Sequence, residues 1–395
     1  VTNGGEEVME PVVVVGGARV FLGDCREVLR SLPDNSVDSV VTDPPYELGF
    51  MGKSWDSSGI AYDVTVWAEC LRVLKPGGHI VAFGGSRTFH RLAVAVEDAG
   101  FEIRDTIAWI SSKTFPKSLN VEKAMDKAGM DGSVAKGWGT GLKQVVEPVV
   151  LARKPLDGTV AENTLAWGVG GLNIDGSRIA SSEITGRPQY ESKGWKNTSG
   201  MTGSTNEDWK KGRWPANVIL DEVTAGLLDE QSGVLKPATS RTPAKPEAIA
   251  KAIFGGGAAG PLYNDTGGAS RFFYVAKASK RDRNEGLEML GAKFAPTMGD
   301  GIGGKEHNPD TATPKQNHHP TVKPTALMRY LIKLVTPEGG TVLDPFTGSG
   351  STGKAALLDG YKFVGAELTE EYLPIIEGRL RWAVEQEGET DERLF

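Results

Sequence analysis

Ser36-Val37-Asp38-Ser39-Val40-Val41-Thr42-Asp43-Pro44-Pro45-Tyr46 leads a strand into a stiff, acidic turn. The run before Asp43 is rich in β-branched residues and bounded by turn formers, which predicts a strand. Asp43 to Tyr46 then fall at the strand's carboxyl end, where open α/β sheets place their chemistry. The prolines fix φ and bias the residues before them toward extended geometry. That aims the Asp43 carboxylate, the Pro44 carbonyl and the Tyr46 ring at one point. Carboxylate and carbonyl both accept, so together they can hold the two hydrogens of a planar amino group. The ring can stack on the heterocycle that carries it. Taken alone, the four residues equally suit a strand followed by a proline turn with a surface aspartate.

Outward from this stretch, strands and helices alternate. Residues 19–25 read as a strand and 26–32 as a short helix stopped by Pro33. Residues 47–62 are a glycine- and serine-rich loop over the turn, with Phe50 and Trp55 as candidate lid residues. Residues 64–74 carry a helical apolar face, closed by Lys75-Pro76-Gly77-Gly78 before a strand at 79–83. A helix at 86–99 and a strand at 101–110 follow. A basic, loop-rich stretch then holds a helix near 121–128, and a further strand lies at 147–152. Periodicity lapses from 155 to 307 and returns at His318 with a helix at 325–335, a strand at 341–343 and helices at 352–358 and 372–385 around a strand at 362–366. The expected fold is α/β: a Rossmann-like, doubly wound, mostly parallel sheet with an inserted irregular region. The expected division is 1–154, 155–310 and 311–395.

The totals narrow the function classes. The chain has 395 residues and a net charge of −7, so any hold on nucleic acid must come from a local patch. Residues 185–283 carry fifteen Lys and Arg against ten Asp and Glu, together with Trp195, Trp209, Trp214 and Phe272-Phe273-Tyr274. A basic, aromatic module in an acidic chain suits a nucleic-acid face, or else a decorated insertion with its own small core. Cys25 and Cys70 form no C-x-x-C pair, which suits a reducing compartment and predicts a cytoplasmic location. Neither a secretion signal nor a membrane span is expected, since Val12-Val13-Val14-Val15 is far too short for one. His90, His307 and His318 lack metal-ligand spacing, and no metal is expected.

The second informative stretch is Asp344-Pro345-Phe346-Thr347-Gly348-Ser349-Gly350-Ser351-Thr352. Gly348, Gly350 and Gly353 match G-x-G-x-x-G between a strand and a helix, and Glu367 lies where an acid binds ribose hydroxyls. On these residues alone a nicotinamide or flavin enzyme is a fair reading. A P-loop is one residue short, because Ala355 stands where a magnesium-binding Ser or Thr is needed. Asp344-Pro345-Phe346 puts an acid, a stiff residue and a bulky ring at the mouth, which suits a ligand with an ammonium, a ribose and no phosphate. S-adenosylmethionine fits, with its ammonium near Asp344, its ribose on Glu367 and its adenine edge near Asp24.

Together the two stretches resemble the DNA amino-methyltransferase family, whose hallmarks are D-P-P-Y and D-P-F-x-G-S-G. The order, catalytic motif before cofactor motif, resembles the family's β group. His319-Pro320-Thr321-Val322-Lys323-Pro324 resembles the segment that closes over the methionine end, and Leu22-Gly23-Asp24 the adenine-contacting motif. The resemblance covers residues 19–155 and 315–385. It implies catalysis by Asp43, Pro44, Pro45 and Tyr46. It implies cofactor contacts from Asp24, Cys25, Asp43, Lys323, Asp344 to Thr352, Glu367 and Leu368. The middle region becomes the target-recognition domain. The implied activity is methylation of adenine N6 in double-stranded DNA after base flipping, as in restriction-modification systems. N4-cytosine methylation and a catalytically weak DNA-binding protein are the alternatives, and a homodimer is expected by family analogy.

Overall fold

The computed structural model describes residues 9–49, 54–112, 116, 118–180, 212–235, 266–277, 281–291 and 316–386. The strands are β1 (Val13–Val15), β2 (Ala18–Leu22), β3 (Val37–Thr42), β4 (Leu74–Phe83) and β5 (Glu102–Ile110). They continue with β6 (Val146–Arg153), β7 (Val218–Asp221), β8 (Tyr274–Ala276), β9 (Thr341–Asp344) and β10 (Lys362–Glu367). All join one sheet in the order β1-β2-β10-β9-β3-β4-β6-β5-β7-β8. The run from β2 through β10, β9 and β3 to β4 is parallel, β6 is antiparallel to both of its neighbours, and β1 is an antiparallel edge.

Helices α1 (Cys25–Ser31), α2 (Val64–Val73) and α3 (Phe89–Asp98) pack on one face with Phe21, Val40, Ile80 and Val364. α4 (Val121–Lys127) stands in the β5–β6 connection and buries none of its residues. α5 (Val160–Trp167) follows β6 and α6 (Glu222–Ser232) follows β7. α7 (Thr325–Val335), α8 (Ser351–Leu358) and α9 (Leu373–Glu385) cover the other face with Val41, Val81, Val342 and Phe363. Helices on both faces explain why every residue of β3 is buried. Its polar residues are all satisfied, as burial requires. Asp38 accepts from Lys75 Nζ (2.6 Å) and Thr341 N (2.7 Å), and the Ser39 and Thr336 hydroxyls are 2.7 Å apart. Among the described residues no helix is long and apolar enough to cross a membrane.

Three expectations change. Lys75-Pro76-Gly77-Gly78 is not a turn after a helix: α2 stops at Val73 and β4 begins at once with Leu74. The irregularity is absorbed as a register shift between Val37 and Ser39 on β3, with Gly77 at φ +78, where a Cβ would lie 2.4 Å from Asn163 Nδ2. Among the described residues of 155–310 regular structure does not lapse throughout: β7 and β8 extend the main sheet, and α6 follows β7. Nor do residues 281–291 stand apart from the carboxyl-terminal half. Leu287 is fully buried, and Lys354 of α8 pairs with Asp282 and Glu285 at 2.8 Å each. Phe50, Trp195 and Trp209 lie outside the described residues, as does most of the basic middle stretch.

Candidate active site

Parallel pairing of β3 with β9 (Ser39 with Val342, Val40 with Leu343) brings the two motif loops to neighbouring carboxyl ends at the centre of the sheet. From β9 the chain proceeds to β10 on one side, and from β3 to β4 on the other. This is the topological switch point at which open sheets form a crevice. The loops are joined directly: Thr42 Oγ1 donates to Asp344 Oδ1 at 2.6 Å.

In the first loop, Lys323 Nζ lies 2.7 Å from Asp43 Oδ2 and 3.1 Å from the Tyr46 hydroxyl. That hydroxyl donates to Glu147 Oε2 at 2.8 Å, and the Tyr46 carbonyl accepts from Thr88 Oγ1 at 2.8 Å. Pro44 is buried and Pro45 half-buried. Asp43 Oδ1 is out of solvent and accepts no hydrogen bond from the described residues. Burial raises the Asp43 pKa, against the pull of Lys323. That oxygen is therefore available to accept a hydrogen bond from a group entering the crevice. The loop after Tyr46 is held by buried Asp56, which accepts from Glu47 N (2.9 Å) and Leu48 N (3.2 Å).

In the second loop the side chains serve the protein. Asp344 accepts from Thr42 Oγ1 (2.6 Å), Thr352 Oγ1 (2.6 Å) and Phe346 N (3.0 Å). Those bonds occupy most of a carboxylate's four or so acceptor positions. The carboxylate expected to meet an ammonium is thus turned inward, linking β3, β9 and α8, and burial lifts its pKa to about 6. The Ser349 and Ser351 hydroxyls receive the fully buried Arg379 at 3.1 and 3.0 Å. Thr347 N donates to Ala366 O, and Pro345 is buried. Phe346 packs toward Trp67, ring centroids 6.2 Å apart. Gly348 and Gly350 have φ +55 and +73, a backbone that glycine alone adopts without strain. Glu367 accepts from Gly348 N (2.7 Å) and Thr369 N (2.8 Å), one bond on each oxygen, leaving a lone pair on each for ribose hydroxyls. Burial lifts its pKa to about 7.

Asp24 caps α1 and holds Arg26 by Nε at 2.9 Å, so its reach to an adenine edge competes with an ion pair. The Cys25 thiol is buried and pushed up to about 12. Leu368 is exposed. Lys323 sides with the Asp43–Tyr46 turn, held there by two carboxylates. His319 Nδ1 donates to Thr321 O (2.8 Å), and its Nε2 lies 3.1 Å from where a Gly348 Cβ would be, so this ring backs the glycine loop. Sequence reasoning missed Glu147, which reads as an ordinary strand residue, and also Thr88 and Arg379. In the described part of the middle region, Arg178 lies over the exposed Trp214 ring at 5.4 Å. Arg213 and Arg271 lie over Phe272 at 4.8 and 4.3 Å.

The fold is a Rossmann-like α/β sheet with a crevice at its switch point. A family model described as DNA methylase, of the N6/N4 type, matches residues 37–378. The chain belongs to this family of DNA methylases, whose cofactor is S-adenosylmethionine. Over 73 residues it is 45% identical to the type II methyltransferase M2.DpnII of Streptococcus pneumoniae, a match covering 18% of this chain and 26% of that relative. The chain thus matches about a quarter of that relative's length. Among solved structures, the cytosine-N4-specific PvuII DNA methyltransferase aligns over 94% of this chain and 89% of its own, at 15% identity and TM-score 0.47. The M1.HpyAVI–SAM complex aligns over 92% and 99%, at 15% identity and TM-score 0.40.

Proposed function

We propose that this chain transfers a methyl group from S-adenosylmethionine to the N6 amino group of an adenine flipped out of duplex DNA. The observation that carries the reading is Asp43 Oδ1, buried and accepting from no described residue, at the switch point next to Thr42, whose hydroxyl bonds Asp344 ahead of the glycine loop. An exocyclic amine is a poor nucleophile because its lone pair is delocalised into the ring. Acceptors at Asp43 and the Pro44 carbonyl draw on the amino hydrogens and free that pair. The bound cofactor supplies a methyl group already activated by its sulfonium, so positioning and electrostatics carry the rate. Tyr46 offers the stacking face for a base turned out of the helix, at a cost of a few kcal/mol. The arginine–aromatic pairs around Trp214 and Phe272 support a DNA-facing role for 155–310, with phosphate contacts offsetting that cost. Acid in the first position of D-P-P-Y favours adenine over cytosine by family resemblance.

The direct test is incubation with tritiated S-adenosylmethionine and mixed-sequence duplex DNA, digestion to nucleosides and identification of the labelled one. Label on N6-methyladenosine is expected. Label on cytosine overturns the base, and no label on any base overturns the reading.

Cofactor affinity should depend on pH through Glu367. Its folded pKa of about 7 lies above its ordinary 4.5, so between these values the folded apo protein keeps a proton that the unfolded chain releases. Stability of the apo protein therefore falls as pH rises across that window. Ribose hydroxyls donating to Glu367 favour the carboxylate, so S-adenosylmethionine should bind more weakly as pH drops from 8 to 5.5. Titration calorimetry at several pH values checks this, and Glu367→Gln should flatten the dependence.

A further inference from the structure

Two carboxylates share one ammonium beside the crevice. Lys323 Nζ lies 2.7 Å from Asp43 Oδ2 and 3.4 Å from Glu147 Oε2. Glu147 Oε2 also accepts from the Tyr46 hydroxyl at 2.8 Å. Glu147 stands near the start of β6, paired with Trp109 on β5, so a strand rather than a loop holds it. Lys323 is nearly buried, its ammonium 4.8 Å from the Phe83 ring centroid. We propose that Glu147 is a positioning residue for methyl transfer: it fixes the Tyr46 ring through the phenol and divides Lys323 with Asp43, leaving Asp43 Oδ1 to meet the substrate amine with its charge incompletely neutralised. This rests on the methyl-transfer reading above.

The charge count gives the physical reason. Asp43, Glu147, Lys323 and neutral Tyr46 together carry one net negative charge. In the transfer, the amine nitrogen forms a bond to the methyl carbon while the carbon–sulfur bond breaks and its electron pair stays on sulfur. The nitrogen becomes positive and releases one proton, which Asp43 Oδ1 accepts, and the cluster becomes neutral. Without the Glu147 charge it would start neutral and end positive in a partly buried site, a costlier change. The charged and titratable groups facing Asp43 are Lys323, Glu147 and Tyr46, with Asp344 across the β3–β9 pair.

Glu147→Gln keeps an acceptor oxygen for the Tyr46 phenol and removes the charge. Its single-turnover rate on duplex DNA should fall roughly tenfold, with KM for DNA unchanged. The acid limb of its pH–rate profile should move down by about one unit, because Asp43 loses a like-charged neighbour. Glu147→Ala also frees the ring and should raise KM for DNA about tenfold through lost stacking. A Glu147→Gln enzyme with wild-type rate and limb overturns the proposal, as does equal loss in both variants with an unmoved limb. A readout independent of turnover is the Tyr46 resonance in protein labelled with carbon-13 at tyrosine Cζ, assigned by its absence in Tyr46→Phe. It should shift in Glu147→Ala, which removes the phenol's acceptor, and an unmoved resonance there overturns the anchoring. If wild-type protein labels no DNA base while this resonance does shift, the methyl-transfer reading has failed and the anchoring has not.

Discussion

Asp43→Ala should lower the single-turnover rate of methyl transfer by about 10³-fold while changing cofactor affinity less than tenfold. The variant removes Oδ1, the buried oxygen that accepts from no described residue, together with the Lys323 partner Oδ2. It should still fold, because Lys323 keeps Glu147 and the Tyr46 hydroxyl. Asp43→Asn retains one acceptor but neither charge nor proton-accepting power, and should fall nearly as far. Rates under enzyme excess, with circular dichroism to confirm folding, decide the matter. More than a tenth of wild-type activity in Asp43→Ala would remove Asp43 from the chemistry.

Lys354→Met should cost about 3 kcal/mol of stability, read from the urea midpoint at neutral pH. Lys354 is wholly buried, and its ammonium is the shared partner of Asp282 and Glu285 at 2.8 Å each. Methionine fills the stem's volume and leaves both carboxylates facing an apolar neighbour. Burial pushes the Asp282 pKa up, but Lys354 and the Thr325 donors outweigh it and hold the group below its ordinary 3.8. The stabilisation is therefore present above pH 3.8 and lost as pH falls through the lower folded value. The variant's deficit should shrink over the same range. Cofactor affinity should suffer as well, since Asp282 lies 3.9 Å from Arg379 Nη2 and Arg379 holds the Ser349 carbonyl at 2.8 Å.

What could be read from the chain follows the range of the interactions involved. The helix Thr325–Val335 and the strand–glycine–helix unit around Gly348 are local patterns, and periodicity places them directly. The pairing of the two motif loops could be inferred because each carries its own chemistry. β7 and β8 could not: at four and three residues they are too short to show alternation, and they hold their places by pairing with β5 and with each other. Glu147 and Lys323 reach the Tyr46 hydroxyl across 101 and 277 residues of sequence, so no spacing rule links them. Lys354 mimics a phosphate-loop lysine in sequence, yet its charge is consumed by an Asp282 embedded in basic residues. A carboxylate between arginines looks solvated until its partner is known.

The sheet's edge carries a last consequence. β2 pairs with β10, Phe363 N donates to Gly17 O at 3.1 Å, and a Cβ on Gly16 would lie 2.8 Å from Val384 Cγ2. The amino-terminal strands thus lie against the last described helix. Strand pairing rather than chain order makes β2 and β10 neighbours, although they lie far apart along the sequence. A permuted gene, with a short linker joining these segments and the new opening placed in another surface loop, would encode the same crevice with its two halves translated in reverse order. The crevice is therefore set by which strands pair, not by the order in which its two halves are translated.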